Sequence, residues 1–149
     1  MKIYFGADHA GFELKNVLVE YVKSLGFEVE DMGAHTLDAN DDYTGIMAPV
    51  GFKVGSDPEK YRAIILGGSG QGEAIVVNRF PGVRAVVYYG GNLEIIKLSR
   101  GHNDANILSL GARFLTSDEA KEAVKLWLET PFSREERHSR RIEQIDQIS

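Results

Sequence analysis

The 149-residue sequence predicts an α/β fold, a three-layer α/β/α sandwich in which helices cover both faces of a five-stranded parallel sheet. Apolar runs of strand length alternate with segments of helical periodicity along almost the whole chain, a pattern typical of consecutive β–α–β units. The composition, 43% hydrophobic and 26% charged, fits one globular domain with a sizeable core. We therefore expect a single domain over residues 1–149, in which a basic helical tail, residues 133–149, follows the last helix of the sandwich.

The strands are predicted from short apolar runs, at residues 3–6, 27–30, 63–66, 83–88 and 107–110. The second run alternates apolar and charged residues, which indicates an edge strand, whereas the continuous apolar third run indicates a central one. If the second and third strands flank the first, the order of the sheet reverses between strands 1 and 3. Ligands of such sheets bind at that reversal, beside the carboxyl ends of the strands.

The helices are predicted where apolar residues recur every three or four positions. The first has a predicted buried face followed by Gly26 as its terminating glycine, and the face consists of Leu14, Val17, Leu18, Tyr21, Val22 and Leu25. Further helices are expected through residues 46–54, 73–79 and 92–100. Thr116 and Glu119 have the spacing of a capping box and start the next helix, which Pro131 ends.

Composition narrows the possible functions. The absence of cysteine excludes disulfides, thiolate metal sites and a cysteine nucleophile. Asp and Glu outnumber Lys and Arg by 22 to 17, and the net charge of −5 argues against nucleic acid as a partner. The first residues enter a strand without a signal-like apolar region, and no apolar run is long enough to span a membrane. We therefore expect a cytoplasmic protein.

Two segments lie where the predicted sheet would bind a ligand. Asp8-His9-Ala10-Gly11 follows the first strand, although Asp8 could also simply cap the first helix. The glycine loop, residues 67–72, follows the third strand; it lacks the lysine of a phosphate-binding loop and the third small residue of a dinucleotide fingerprint. The loop is either a tight turn or a set of backbone N–H groups that face a small anion or a developing oxyanion.

Three further features have two interpretations each. Glu73 begins a helix, where it is either a favourable charge for the helix dipole or an ionised general base. His102, in a polar connection between helix and strand, is either solvated or functional. Arg137 and Arg141, spaced i, i+4 with His138 beside them, form either a solvated helical face or a fork for phosphate.

Together these segments resemble the ribose-5-phosphate isomerase B family of sugar-phosphate isomerases, which also includes allose- and galactose-phosphate isomerases. The resemblance covers nearly the whole chain and is carried by residues 6–11, 42–43, 67–73, 78, 81–85, 102–106, 137–138 and 140–141. It implies a flavodoxin-like (Rossmann-like) sandwich and a homodimer with active sites at the subunit interface. It also implies interconversion of an aldose phosphate and a ketose phosphate through a cis-enediolate, without a cofactor or a metal.

The resemblance also implies roles for individual residues. One branch of the family moves the proton with a cysteine at the position of Gly67, and the other uses a glutamate at the position of Glu73. His102 is then expected to assist ring opening, and Ser69 and the backbone of the glycine loop to stabilise the enediolate. The remaining substrate-binding residues are expected to be Asp8, His9, Tyr43, Gly68, Gly70, Gly72, Asn103, Arg113, Arg137, His138 and Arg141. Of these, the resemblance assigns His9 and the arginines, with His138, to the phosphate.

The sequence departs from the family pattern at Thr44, where proline is usual, and at Gly101, where glutamate is usual. The leading hypothesis is an isomerase of ribose 5-phosphate and ribulose 5-phosphate. The alternatives are an isomerase of a six-carbon sugar phosphate, such as allose or galactose 6-phosphate, and a non-catalytic module that binds phosphosugars. A nucleotide- or flavin-binding domain is disfavoured by the missing fingerprints.

Overall fold

The computed structural model describes residues 1–148 and contains one five-stranded sheet in which every neighbouring pair is parallel. The strands are β1 (Lys2–Ala7), β2 (Glu28–Asp31), β3 (Tyr61–Gly67), β4 (Ala85–Tyr88) and β5 (Ile107–Gly111). Their spatial order is β2-β1-β3-β5-β4, so β2 lies at an edge, β3 lies at the centre, and β1 and β3 are neighbours, as predicted. The last two strands exchange places relative to the chain order, which puts β4 at the second edge.

The helices cover both faces of the sheet, and this confirms the three-layer architecture. They are α1 (Phe12–Ser24), α2 (Tyr43–Ser56), α3 (Gln71–Val77), α4 (Glu94–Gly101), α5 (Ser117–Glu129) and α6 (Glu136–Asp146), with a 3₁₀ turn at Ala112–Phe114. One hydrophobic core joins α1, α4 and α5 to the sheet, and a second joins α2 and α3 to the opposite face. None of the helices in the described part of the chain combines the length and hydrophobicity needed to cross a bilayer.

Two predicted helix signals are confirmed, and one predicted face is corrected. The capping box of Thr116 and Glu119 begins α5, and Gly26 follows α1 with a φ of +94°. On α1, however, Val17 is 40% exposed, and Lys15 is fully buried instead. Lys15 tolerates burial because its Nζ atom donates to Asp31 Oδ2 at 2.6 Å and to a backbone carbonyl at 2.7 Å.

All five strands run in the same direction, so the sheet has a carboxyl edge, where the strands end, and an amino edge, where they begin. Segments that follow strands emerge at the carboxyl edge, and segments that follow the crossover helices return to the amino edge. Helix α6 lies at the amino edge, where it covers a cavity of about 520 Å³ together with residues at the beginning of β3 and just before β4 and β5. Candidate site residues therefore lie at opposite edges according to the element they follow.

Candidate active site

The turn after β1 packs directly against the end of β3. Asp8 Oδ1 accepts hydrogen bonds from the backbone N–H groups of Ala10 (2.9 Å) and Gly11 (3.3 Å), and Asp8 is 7% exposed. A Cβ atom at Gly11 would lie 2.5 Å from Leu66 Cβ, so only glycine allows this approach. The alternative in which Asp8 caps α1 is wrong, because the helix begins at Phe12 and Gly11 is at its cap.

The glycine loop between β3 and α3 is fixed by contacts to β5. Gly70 has a φ of +78°, and its carbonyl accepts a hydrogen bond from the buried Ser109 hydroxyl. The backbone N–H of Arg113 donates to the Gly68 carbonyl at 3.1 Å. Helix α3 begins at Gln71, two residues earlier than predicted, so Glu73 is in its first turn. The loop is therefore held by β5 and by the 3₁₀ turn that follows it.

Glu73 is buried against this loop, with 4% of its surface exposed. A Cβ atom at Gly67 would overlap the Glu73 carboxyl group, so the carboxylate occupies the space where any other residue would have a side chain. Burial raises the pKa of Glu73, its own backbone N–H lowers it, and the charge of Asp8 raises it further. The helix dipole alone would favour ionisation, but burial outweighs it and makes the carboxylate a stronger proton acceptor.

His9 is held by an aspartate that the sequence analysis did not single out. Asp41 Oδ1 lies 2.7 Å from His9 Nδ1 and accepts the backbone N–H of His9 at 3.2 Å. The pair joins the turn after β1 to the polar loop before α2. In the sequence, the only indication of this pair is that the loop before α2 is rich in aspartate. Asp8, His9 and Asp41 also bring potential metal-ligand atoms within 4.8 Å of one another, but hydrogen bonds already engage one oxygen of each aspartate.

Tyr43 and Arg113 lie on either side of the glycine loop at the same edge of the sheet. The first turn of α3 packs against Tyr43, and a Cβ atom at Gly72 would lie 2.8 Å from the Tyr43 ring. Arg113 reaches the other side of the loop, where its Nη1 atom lies 3.0 Å from the place that a Cβ atom at Gly68 would occupy. We define the carboxyl-edge cluster as Asp8, His9, Asp41, Tyr43, Ser69, Glu73 and Arg113.

The second cluster is at the amino edge, where α4 ends and α6 begins. The rings of His102 and His138 stack with centroids 4.2 Å apart and an interplanar angle of 16°. His102 is exposed, whereas His138 is buried. Burial lowers the pKa of His138, and the charges of His102 and Arg137 lower it further. Arg137 pairs with Glu135 at 3.1 Å and is more than half exposed.

The structure therefore divides the predicted site residues into two groups. Glu73 and the glycine loop lie at the carboxyl edge, and the other group, the amino-edge cluster, consists of His102, Asn103, Arg137, His138 and Arg141. Strand β3 separates the edges by seven residues, or roughly 20 Å at about 3.3 Å per residue. Within one chain, the two groups therefore lie at opposite ends of β3.

The chain is similar to known proteins over almost its whole length. Residues 3–145 match the model of the family described as Ribose/Galactose Isomerase. The chain is 40% identical to ribose-5-phosphate isomerase B of Mycobacterium tuberculosis over 143 residues, which cover 96% of this chain and 86% of the relative. It is 37% identical to the Escherichia coli protein of the same name over 147 residues, covering 99% and 95%.

Solved structures are similar in the same way. The crystal structure of ribose-5-phosphate isomerase B from Mycoplasma genitalium with bound ribulose-5-phosphate superposes with a TM-score of 0.93 at 34% identity, covering 98% of this chain and 94% of that one. The Clostridium thermocellum ribose-5-phosphate isomerase B gives a TM-score of 0.91 at 38% identity, covering 99% and 97%.

Proposed function

The chain belongs to the ribose/galactose isomerase family, and on that premise we propose that it interconverts ribose 5-phosphate and ribulose 5-phosphate through a cis-enediolate. One observation carries the proposal: a buried glutamate with a raised pKa lies against a glycine loop at the point where the sheet order reverses. Aldose–ketose isomerisation requires such a group, because a proton must leave one carbon and return to its neighbour.

In the proposed reaction, Glu73 removes the proton from carbon 2 of the aldose and delivers it to carbon 1. A general base is most effective when its pKa is close to the working pH, and burial moves Glu73 in that direction. Gly67 supports this role, since it leaves the space that the carboxylate occupies. No group other than the carboxylate has to carry the proton.

The developing enediolate is an anion, and the glycine loop is proposed to stabilise it. Ser69 and the backbone N–H groups of the loop would supply hydrogen bonds in a position that the strand contacts already fix. Asp8 and Tyr43 flank the loop and are proposed to contact the sugar hydroxyls. His9, oriented by Asp41, and Arg113 are proposed to approach the phosphate.

We further propose that the remaining groups come from a second copy of the chain. In a homodimer, the tail, residues 133–149, would reach the partner's carboxyl edge, so that its amino-edge cluster supplies His102 for ring opening and arginines for the phosphate. Large apolar side chains with more than half of their surface exposed support such an interface, among them Ile75, Tyr89, Ile95 and Phe114. We also propose a cytoplasmic location, since phosphorylated sugars are intracellular metabolites.

The first test is Glu73→Gln, assayed for isomerisation of ribose, allose and galactose phosphates. The variant should keep its fold and bind ribose 5-phosphate but lose turnover by roughly 10²–10⁴-fold, the effect of a positioned base. Near-normal activity would refute the assignment of Glu73. Wild-type activity only on a six-carbon phosphate would change the substrate, and binding without exchange of the carbon 2 proton for solvent deuterium would indicate a non-catalytic module.

The second test addresses the shared site by mixing two inactive variants, Glu73→Gln and His102→Asn. In a mixed dimer, one site contains both substitutions and the other contains neither. After unfolding and refolding together, an equimolar mixture should regain about a quarter of wild-type activity, because half of the dimers are mixed and each has one intact site. Sites built within single chains would regain nothing, and that result would refute the interface.

A further inference from the structure

Asp104 lies between two arginines at the amino edge and pairs with both of them. Its Oδ1 atom accepts a hydrogen bond from Arg100 Nη1 at 2.8 Å, and its Oδ2 atom accepts one from Arg84 Nη2 at 3.3 Å. The arginine side chains are 2% and 13% exposed. A carboxylate that joins two largely buried guanidinium groups stabilises both, because each would otherwise be a buried charge without a counterion.

The same two arginines bind the backbone of the turn that carries His102. Arg84 donates to the carbonyls of Asn103 at 3.0 Å and of Asp104 at 3.0 and 3.1 Å. Arg100 donates to the carbonyl of Ala105 at 2.7 Å. Three consecutive carbonyl groups are therefore held by side chains that Asp104 itself orients.

The backbone of the turn adopts a conformation that needs such support. Asp104 has a φ of +45°, in the left-handed region that few residues other than glycine adopt. Its N–H donates to the Arg100 carbonyl at 3.1 Å, and the next N–H donates to the Ser99 carbonyl at 2.9 Å. His102 and Asn103 are exposed just before this point, so the fold presents them outward from a rigid base.

We infer that Asp104 is a positioning residue, which through Arg84 and Arg100 holds the turn in the geometry that presents His102 to the substrate. The inference rests on the proposed function, in which His102 assists opening of the sugar ring. Asp104 touches no reacting atom in this scheme. With saturating substrate, so that weaker binding through Asn103 has no effect, a change at Asp104 should slow the step that His102 performs while proton transfer by Glu73 at the opposite edge continues.

The chemistry of the two sugars separates these steps. Ribose 5-phosphate is mainly a closed ring and must open before its proton is removed. Ribulose 5-phosphate is an open chain, because the hydroxyl that would close a five-membered ring carries the phosphate. Exchange of its carbon 1 proton for solvent deuterium requires only the enediolate step. The ratio of isomerisation to exchange thus reports ring opening, and a loss of folded protein alone does not change it.

The test compares Asp104→Asn with His102→Asn, and with Asp57→Asn as the matched control. Asparagine keeps the size and the tolerance for positive φ but removes the charge that joins the arginines. Asp57 pairs with the exposed Lys60 at 3.2 Å and has no hydrogen bond or ion pair to the turn or to its two arginines, so its substitution removes an aspartate–cation pair without loosening the turn. Arg84→Lys is the second variant, because lysine cannot bind two neighbouring carbonyls in the same way.

For Asp104→Asn and Arg84→Lys we expect isomerisation to fall by about tenfold or more while carbon 1 exchange stays within about threefold of wild type. In both variants, the backbone amide hydrogens of residues 104 and 105 should also exchange with solvent faster than in wild type. Unchanged isomerisation in both variants, or an equal loss of isomerisation and exchange, would overturn the inference. A wild-type protein that catalyses neither reaction would instead refute the proposed function, and an unaffected His102→Asn variant would refute the ring-opening role.

Discussion

Replacement of Gly67 by alanine tests whether the position of the Glu73 carboxylate, rather than its presence, determines the rate. All three atoms of the Glu73 carboxyl group lie within 2.5 Å of the place where the new Cβ would be. Non-bonded atoms prefer separations of about 3.5–4.0 Å, so the carboxylate must retreat by about 1 Å or more. A displacement of that size can cost about 10²-fold, which corresponds to about 2.7 kcal/mol of transition-state stabilisation.

The assay is steady-state isomerisation of ribose 5-phosphate, with binding measured separately by calorimetry. We expect kcat to fall by about 10²-fold for Gly67→Ala, with the dissociation constant for the sugar phosphate changed by less than about threefold. Gly45→Ala is the matched control, because a Cβ at Gly45 meets no atom within 4 Å. In the double variant with Glu73→Gln, the Gly67 substitution should add nothing further. Wild-type kcat in Gly67→Ala, or a further loss in the double variant, would refute the reasoning.

Three other predictions concern the pH dependence of activity, the pH dependence of stability and the capping box. In the wild type, the acidic limb of kcat/KM should lie above pH 4.5, the ordinary pKa of glutamate, because burial raises the pKa of Glu73. Asp8→Asn should move this limb to lower pH, because it removes a negative charge near Glu73. The pKa of Glu73 is higher in the folded than in the unfolded protein, so ionisation of Glu73 destabilises the fold as pH rises from below 4.5 to neutral. In urea, Glu73→Gln should therefore be more stable than wild type at pH 7 but not at pH 3. Thr116→Ala should lower the free energy of unfolding by about 1 kcal/mol through loss of the cap of α5, and Ser117→Ala, measured by the same urea titration, should not.

Local signals in the sequence were sufficient to predict the sheet and the edge at which the candidate site lies. Alternating periodicities fix the order of strands and helices, and segments that leave the ends of neighbouring strands must meet at one edge. Asp8 and the glycine loop could be paired on that basis alone. The positions of β4 and β5 could not, because short strands of similar composition fit either place beside β3.

Contacts between distant residues limited the prediction of the site. Asp41 is 32 residues from His9 and lies in an aperiodic loop, so no spacing indicates their pairing. Lys15 is buried through Asp31, 16 residues away, against the ordinary preference of lysine for solvent. Asp104 joins Arg100 of α4 to Arg84, which precedes β4. In each case the partner is determined by the fold of the chain, which a local pattern does not contain.

In contrast, once the fold class is known, the sequence predicts that Glu73 and His102 lie at opposite edges of the sheet. Glu73 follows a strand and His102 follows a helix, and in a parallel sheet these two kinds of segment lie at opposite edges. The resemblance to the family assigns both residues to one active site. The proposed second copy of the chain would reconcile the two statements, and the mixing experiment tests for it.

The single tryptophan gives this chain a built-in optical reporter. Trp127 is fully buried in the layer of α1, α4 and α5, and the guanidinium carbons of Arg62 and Arg100 lie 5.7 and 5.9 Å from its ring centroid. Its emission should therefore shift when α5 separates from the sheet. Before substrate is added, fluorescence thus measures the folding of each active-site variant, in the same cuvette as the activity assay.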